Sequence, residues 1–369
     1  MRAQPNEQSP LVVHTDGSHG WGGQEIRTLT ELREMRRLGF RVGLIVPAHS
    51  ELARRAAAEG IPVHAVASFA KLNLRSWLEL YRIVRVLRPT VLNTHSSEDS
   101  WMAGALGRLL RVPLVIRTRH VLASISSAFS YNLFYRVVFT CSSAIAEQLV
   151  AQGVKPDKTV VLSTGSDENR FRFSPESRLK IRHAYGIGDH EIVVGNVGFL
   201  RHYKGHPFIV QTAAAAPAHY KFIIVGGGEL APLQTLAREL GVADRVIFAG
   251  HQEHPEHFFS AFDILFFASY ESEGVSQALI QGLLNGLPVL ACPIPSTMEP
   301  LGLVEGYRLV EYGDVPAACQ KLAELASLPR RDPERMGRQH QVIAERYGLQ
   351  GMVNKLVATY DRYGVRCVP

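Results

Sequence analysis

Short apolar runs alternate with helix-period patterns along almost the whole chain of 369 residues, a rhythm that predicts parallel sheets joined by crossover helices. In the first half, strands are expected at Leu11 to Thr15, Arg41 to Pro47, Val63 to Val66, Val91 to His95, Leu114 to Thr118, Val138 to Cys141 and Thr159 to Ser163. Helical patterns fill the gaps, as over Gln24 to Leu38 and Ala144 to Gln152. After Arg172-Phe173-Ser174-Pro175 the alternation restarts, with strands at Ile192 to Val197, Phe222 to Val225, Val246 to Ala249, Ile264 to Ala268 and Val289 to Cys292. Helices such as Pro207 to Ala218 and Leu230 to Leu240 lie between them, and a polar helical stretch from Pro333 to Tyr363 is broken near Tyr347-Gly348. The chain is too long for one ordinary core. The expected fold class is therefore α/β, with doubly wound Rossmann-like domains over 1–172 and 173–345 and a terminal helix over 346–369. Open parallel sheets bind ligands beyond the carboxyl ends of their strands, so two facing domains would place a site in an inter-domain cleft.

Composition narrows the class. Hydrophobic residues make up 46% of the chain and charged ones only 20%, which describes a well-buried protein and excludes a disordered one. No apolar run approaches the roughly 20 residues of a membrane-spanning helix, and the polar start MRAQPNEQSP lacks a signal-peptide core, so a cytoplasmic protein is expected. Cys141, Cys292, Cys319 and Cys367 form no CxxC pair and read as small buried hydrophobes, with neither a zinc site nor a disulfide framework. Charge is unevenly shared: residues 1–180 hold 24 Lys+Arg against 15 Asp+Glu, a net +9, and the remainder 16 against 19, a net −3. Arg75, Arg82, Arg85 and Arg88, with Lys71 upstream, interleave with Leu74, Trp77, Leu78, Leu80, Tyr81 and Val84 at helical spacing. Such a helix can rest on an anionic bilayer with its aromatics at headgroup level, or it can be a packed helix whose arginines face water. No nucleic-acid-binding module accompanies the charge, so no nucleic-acid partner is expected.

Several motifs fall at expected strand ends. The first strand runs into Asp16-Gly17-Ser18-His19-Gly20-Trp21-Gly22-Gly23-Gln24-Glu25, a glycine-dense turn opening a helix. It lets backbone approach a ligand closely at a positive helix end, but it does not match GxGxxG, which counts against a dinucleotide cofactor. Val197-Gly198 leads to Phe199-Leu200-Arg201-His202-Tyr203-Lys204-Gly205, where two cations three residues apart can neutralise the phosphates of a departing nucleoside diphosphate. His120 follows Val115-Ile116-Arg117-Thr118-Arg119, and His95 ends Val91-Leu92-Asn93-Thr94; each can also be a structural histidine. Glu273-Gly274-Val275-Ser276-Gln277, running on to Gln281 and to Asn285-Gly286-Leu287-Pro288-Val289, sets a carboxylate and a glycine turn before a helix. Free N–H groups and a carboxylate at one helix start can grip hydroxyls and phosphates. Read structurally, it is a capped surface helix.

This last stretch resembles the motif of family 4 of the retaining glycosyltransferases, which carries Glu, seven residues, Glu, then a small-residue helix and Gly-x-Pro-Val. Glu273 matches the first acid and Gly286, Pro288 and Val289 the tail, while Gln281 stands where the family has its second Glu. The resemblance implies a two-domain GT-B fold whose last helix crosses back to the N-terminal domain. It implies that Glu273 with Gly274, Val275 and Ser276 holds the donor sugar and that Gln281 meets the nucleotide ribose, with hydrogen bonds but no charge. Gly22 and Gly23 are similar to the family's Gly-Gly-x-Glu loop beside the donor phosphate. Lys204, and Arg201 with a shifted position, resemble the cations that stabilise the leaving group. His120 matches a histidine beside the bond being broken and His95 a second one nearby. Thr164-Gly165-Ser166-Asp167 with Phe171, and Gly226-Gly227-Gly228-Glu229, resemble the inter-domain segment and the second-domain glycine turn.

The implied activity is retaining, metal-independent glycosyl transfer from a nucleotide sugar, a UDP-sugar first among the candidates, with no cofactor. The implied acceptor is lipid-linked or a lipopolysaccharide core, met at the inner membrane face during envelope polysaccharide synthesis. Two rivals share the fold, a nucleotide-sugar 2-epimerase and a non-catalytic partner, the latter suggested by Gln281 and Phe199.

Overall fold

The structure, a computed structural model, describes residues 8–271 and 275–366. The chain divides into two compact units, one formed by Met1–Gly165 with Gly351–Pro369 and the other by Ser166–Gln350.

The first unit holds a parallel sheet of β1 (Leu11–Thr15), β2 (Arg41–Pro47), β3 (Val63–Val66), β4 (Val91–Thr94), β5 (Leu114–Arg119), β6 (Val137–Thr140) and β7 (Thr159–Val161), in the order β3-β2-β1-β4-β5-β6-β7. The central strands β1, β4, β5 and β6 are buried along their whole length, as strands covered by helices on both faces must be. Crossover helices start where the sequence supplies capping side chains: Ser50, Asn73, Ser96 and Ser142 each accept a hydrogen bond from a backbone N–H of the following turn. The helix Leu74–Leu87 stops at Arg88, which takes a left-handed φ of 46° just ahead of Pro89.

That helix shows which side chains of its two-sided pattern are buried. Ser76, Leu80 and Val84 are buried, and Trp77 and Tyr81 pack against the same core. The aromatics therefore do not line the outer face; Leu72, Leu74, Leu78 and Val86 do, beside the exposed Arg75, Arg82 and Arg85. The terminal helix Leu349–Arg362 contributes Gly351 onward to this unit. There Met352 Sδ accepts from the Gly165 N–H at 3.2 Å and Tyr360 stacks edge-on to Phe40.

The second unit holds β8 (Ile192–Val197), β9 (Tyr220–Val225), β10 (Val246–Gly250), β11 (Ile264–Phe267), β12 (Val289–Ala291) and β13 (Tyr307–Leu309), all parallel, in the order β10-β9-β8-β11-β12-β13. The three-residue edge strand β13 was not anticipated, because Tyr307-Arg308-Leu309 is too short and too polar to stand out. Ser166–Arg172 belong to this unit for local reasons. Ser166 bridges Gly348 through bonds to Tyr347 O and from the Leu349 N–H, and Phe171 is buried in its core. Each sheet reverses its strand order once, between β1 and β4 in the first unit and between β8 and β11 in the second. These two switch points are where doubly wound sheets open a crevice for ligands.

Candidate active site

At the switch point of the first unit, β1, β4 and β5 end in polar residues although the strands themselves are buried. His14, Thr15, Asp16, His95, Asp99, Arg117 and Arg119 are all buried there. Gly17, Ser18, Gln24, Glu25, His95, Ser96, Arg117, Arg119 and His120 line a hollow of about 470 Å³. Gly17 keeps the turn close, its N–H donating to Ser96 Oγ at 3.1 Å. Asp99 anchors the rim from below, accepting from Thr15 Oγ1, from the His95 N–H at 3.2 Å and from the Ser96 N–H at 2.7 Å. Asp16 accepts from the Ser18 N–H and from Gln24 Nε2, each at 2.9 Å; burial, with Asp99 adding to it, still pushes its carboxyl up to about 7.

The two histidines expected from the sequence do meet, and a third joins them. His95 Nδ1 lies 2.9 Å from His120 Nε2 and His95 Nε2 lies 2.9 Å from His14 Nδ1, the rings stacking in sequence. Burial pulls His14 down to about 4 and holds His95 and His120 well below the ordinary histidine range, so the run is neutral at pH 7. A neutral imidazole has one donor and one acceptor, so the bonds along the run must all point one way. Beyond it, Cys141 Sγ sits 3.6 Å from His120 Nδ1 and accepts from Arg27 Nη1 at 2.9 Å, while Arg27 Nε pairs with Glu31 at 2.6 Å, both side chains fully buried. Cys141 is thus a hydrogen-bonded member of a polar cluster, which corrects its reading as a plain hydrophobe. Gly22 and Gly23 open the helix Gly23–Arg37; the Gly22 N–H is taken by Glu25 Oε2 at 2.7 Å, and neither glycine lines the hollow.

The switch point of the second unit is built from backbone. After β8 the Gly198 N–H donates to Val225 O and the Leu200 N–H to Gly227 O, so the two glycine turns lie against each other. A Cβ on Gly226 would fall 1.8 Å from Gly198 O. Arg201, exposed, precedes a single 3₁₀ turn, His202–Lys204, closed by Gly205 with a left-handed φ of 71°. A Cβ on Gly205 would lie 2.1 Å from Ala268 O, just past the end of β11, so only glycine lets this turn seat there. Lys204 is half-buried, its Nζ near the rings of Tyr203 and Phe267 at 5.5 and 5.8 Å. Ser276 is the N-cap of the helix Gln277–Leu284, with its side chain making no cap bond, and Gln277 Oε1 accepts from Ser166 Oγ at 2.7 Å. Val275 packs on the core and Gln281 is half-buried. Glu273 and Gly274 lie outside the described residues.

Sequence reading set Arg201 with Lys204 and His95 with His120 at strand ends, where the structure has them, and passed over His14, Asp99, Arg117 and Arg119. The signal for these was present: His14-Thr15 and Arg117-Thr118-Arg119 put polar side chains into strands that are otherwise continuously apolar, where burial demands a reason.

Two Rossmann-like domains of this topology define the GT-B class of glycosyltransferase fold, and solved structures of that class share it. A glycosyltransferase from Rickettsia africae superposes with a TM-score of 0.85 at 18% identity, over 96% of this chain and 99% of that one. Anabaena HepE, in complex with UDP-glucose, does so with a TM-score of 0.80 at 19% identity, over 95% and 99%.

Residues 21–170 match the family model described as Glycosyltransferase Family 4, and residues 191–327 that of Glycosyl transferases group 1. The two matches, one towards each half of the chain, are both to glycosyltransferase families. The D-inositol 3-phosphate glycosyltransferase of Mycobacterium tuberculosis is 27% identical over 299 residues, 71% of this chain. The chain spans 60% of the length of that relative.

Proposed function

We propose that the protein is a retaining glycosyltransferase that moves a sugar from a UDP-sugar onto a lipid-linked or lipopolysaccharide-core acceptor in bacterial envelope polysaccharide synthesis. The observation that carries this reading is the turn at the second switch point, where Arg201 and Lys204 follow β8 and Gly205 seats against Ala268. Cations and N–H groups so placed suit the diphosphate of a leaving nucleotide, whose charge grows as the glycosidic bond breaks. HepE, of the same fold, has been seen with UDP-glucose.

In this reading the leaving phosphate oxygen accepts the proton of the incoming acceptor hydroxyl, on the face the nucleotide departs from, so the protein contributes positioning and charge stabilisation and no nucleophile. Glu273, Gly274 and Ser276 hold the donor sugar, Gln281 the ribose, and His120 with His95 take the role of the histidines beside the bond being broken. Lys204 and Arg201 do the work of a divalent ion. The exposed Leu72, Leu74, Leu78 and Val86, interleaved with Arg75, Arg82 and Arg85, suit a stay on an anionic membrane surface.

Incubation with radiolabelled UDP-sugars, bacterial membranes and EDTA tests the reading. Label should enter the lipid fraction with the anomeric configuration of the donor, as read by NMR of the released glycan. A free epimerised sugar without acceptor would show an epimerase instead. A strict need for added metal would overturn the assigned role of the cations.

A further inference from the structure

The hollow of the first unit contains buried guanidinium donors that no hydrogen bond among the described residues satisfies. Arg117 is 2% exposed and Arg119 6%, yet Arg117 Nη1 and Arg119 Nε have no hydrogen-bond partner among the described residues. Both side chains line the hollow. A guanidinium removed from water without an anion is costly, and removing one partner of a buried ion pair leaves that kind of cost behind. Among the neighbouring carboxylates, Glu98 is exposed at the edge of the hollow, Asp16 accepts from Ser18 and Gln24, and Asp99, though within electrostatic reach of Arg117, spends its oxygens on other donors. Asp99 holds Thr15, Ser96 and the His95 N–H, Glu25 holds the Gly22 N–H, and Glu31 is paired with Arg27. His95 and His120, kept neutral by burial and bonded to each other, to His14 and to Cys141, add no charge there. Arg119 is already held in place, its Nη2 donating to Ala123 O at 2.8 Å, while its buried Nε has no partner among the described residues.

We propose that this hollow is an oxyanion subsite in which Arg117 and Arg119 receive a phosphate or carboxylate group carried by the acceptor. Arginine forks suit both groups, since each offers two oxygens to parallel N–H donors. A volume of about 470 Å³ falls in the range of small-molecule sites and accommodates a sugar ring together with its anionic substituent. The hollow is lined by residues of the first unit alone. The proposal rests on the glycosyltransferase reading for the word acceptor, while the anion site itself stands on the two arginines.

Titrating the full-length protein by calorimetry with glucose 6-phosphate, glucuronate and glucose separates the possibilities. The anionic sugars are expected to bind at least about tenfold more tightly than glucose, the gain expected from one charge-assisted hydrogen bond. A preference for glucose 6-phosphate over glucuronate assigns the site to phosphate, and the reverse to carboxylate. Arg119→Gln should weaken the anion by roughly tenfold and Arg119→Lys by less, with UDP affinity unchanged in both. Should Arg117→Gln fail to fold, the unaltered protein still reports: the arginine Nε–H resonances should move in NMR spectra on titration with inorganic phosphate. Equal binding of glucose and the anionic sugars, or unchanged anion affinity in Arg119→Gln, would overturn the proposal. Loss of UDP binding alone would count against the donor reading and leave this site standing.

Discussion

The two units carry the same order over six strands, the first adding β7 at its edge, and finish their switch points in opposite ways. The first ends β1, β4 and β5 in buried polar side chains, a neutral run of three histidines, two arginines and two carboxylates. The second ends β8 and β9 in glycine turns whose backbones touch, with Arg201 just ahead of a single 3₁₀ turn and Lys204 on it. A site made of buried side chains is selective and sensitive to protonation, because each group was desolvated in advance. One made of backbone and flexible cations tolerates the side chains around it but not an added Cβ. That contrast suits a first unit that discriminates among acceptors and a second that grips a constant diphosphate.

The sharpest way to break the contrast is to add a methyl group to each unit's turn. Gly226→Ala and Gly205→Ala meet carbonyl oxygens at 1.8 and 2.1 Å, and should lose on the order of 4 kcal/mol in chemical denaturation, overpacking adding to strain at Gly205. Gly23→Ala, whose Cβ would find nothing within 4 Å, should change stability by less than about 1 kcal/mol. Similar losses at Gly205 and Gly23 would erase the distinction.

Lys204→Ala should lower kcat/KM by about 10²–10³ with the fold intact, as loss of one preorganised charge does. A tenfold or smaller loss, on the order of 1.4 kcal/mol, would move the leaving-group role elsewhere.

The first unit should be the acid-labile one. His14 is held at about 4 against an ordinary value of 6.5, so the unfolded chain binds the extra proton between those values. Its contribution is present above pH 6.5 and lost as pH falls toward 4, amounting to up to ~3 kcal/mol. Asp16 works the other way: raised to about 7 from 3.8, it favours the folded state below pH 4 and loses that contribution as pH rises through 7. Melting temperatures of His14→Gln against pH should flatten the acid limb, and those of Asp16→Asn the neutral one. A pH profile identical to wild type in both variants would show that burial does not control this cluster. The smallest effect is expected from Gln281→Glu, which restores a charge at a half-buried helix position and should raise donor affinity a few-fold, about 1 kcal/mol, in a UDP titration.

Much of this was legible in the chain. Continuous apolar runs located the buried strands to within a residue or two, because a strand covered on both faces admits few polar side chains. The loop at Arg201–Gly205 was also legible, since its chemistry lies in consecutive residues. The His14–His95–His120 run was not, because its members come from three strands of different sequence position and only the β1-β4-β5 adjacency brings them together. Cys141 misled for the same reason: its partner Arg27 is 114 residues away. Tyr307–Leu309 escaped because an edge strand needs only half the apolar pattern.

The most direct measurement is thermal denaturation of the wild type and of Lys204→Ala with UDP, GDP and ADP. One nucleotide at 100 times its dissociation constant should stabilise the wild type by about 2.7 kcal/mol, and the shift should vanish in Lys204→Ala. No shift with any of the three, or an equal shift in the variant, would contradict a diphosphate grip at the second switch point.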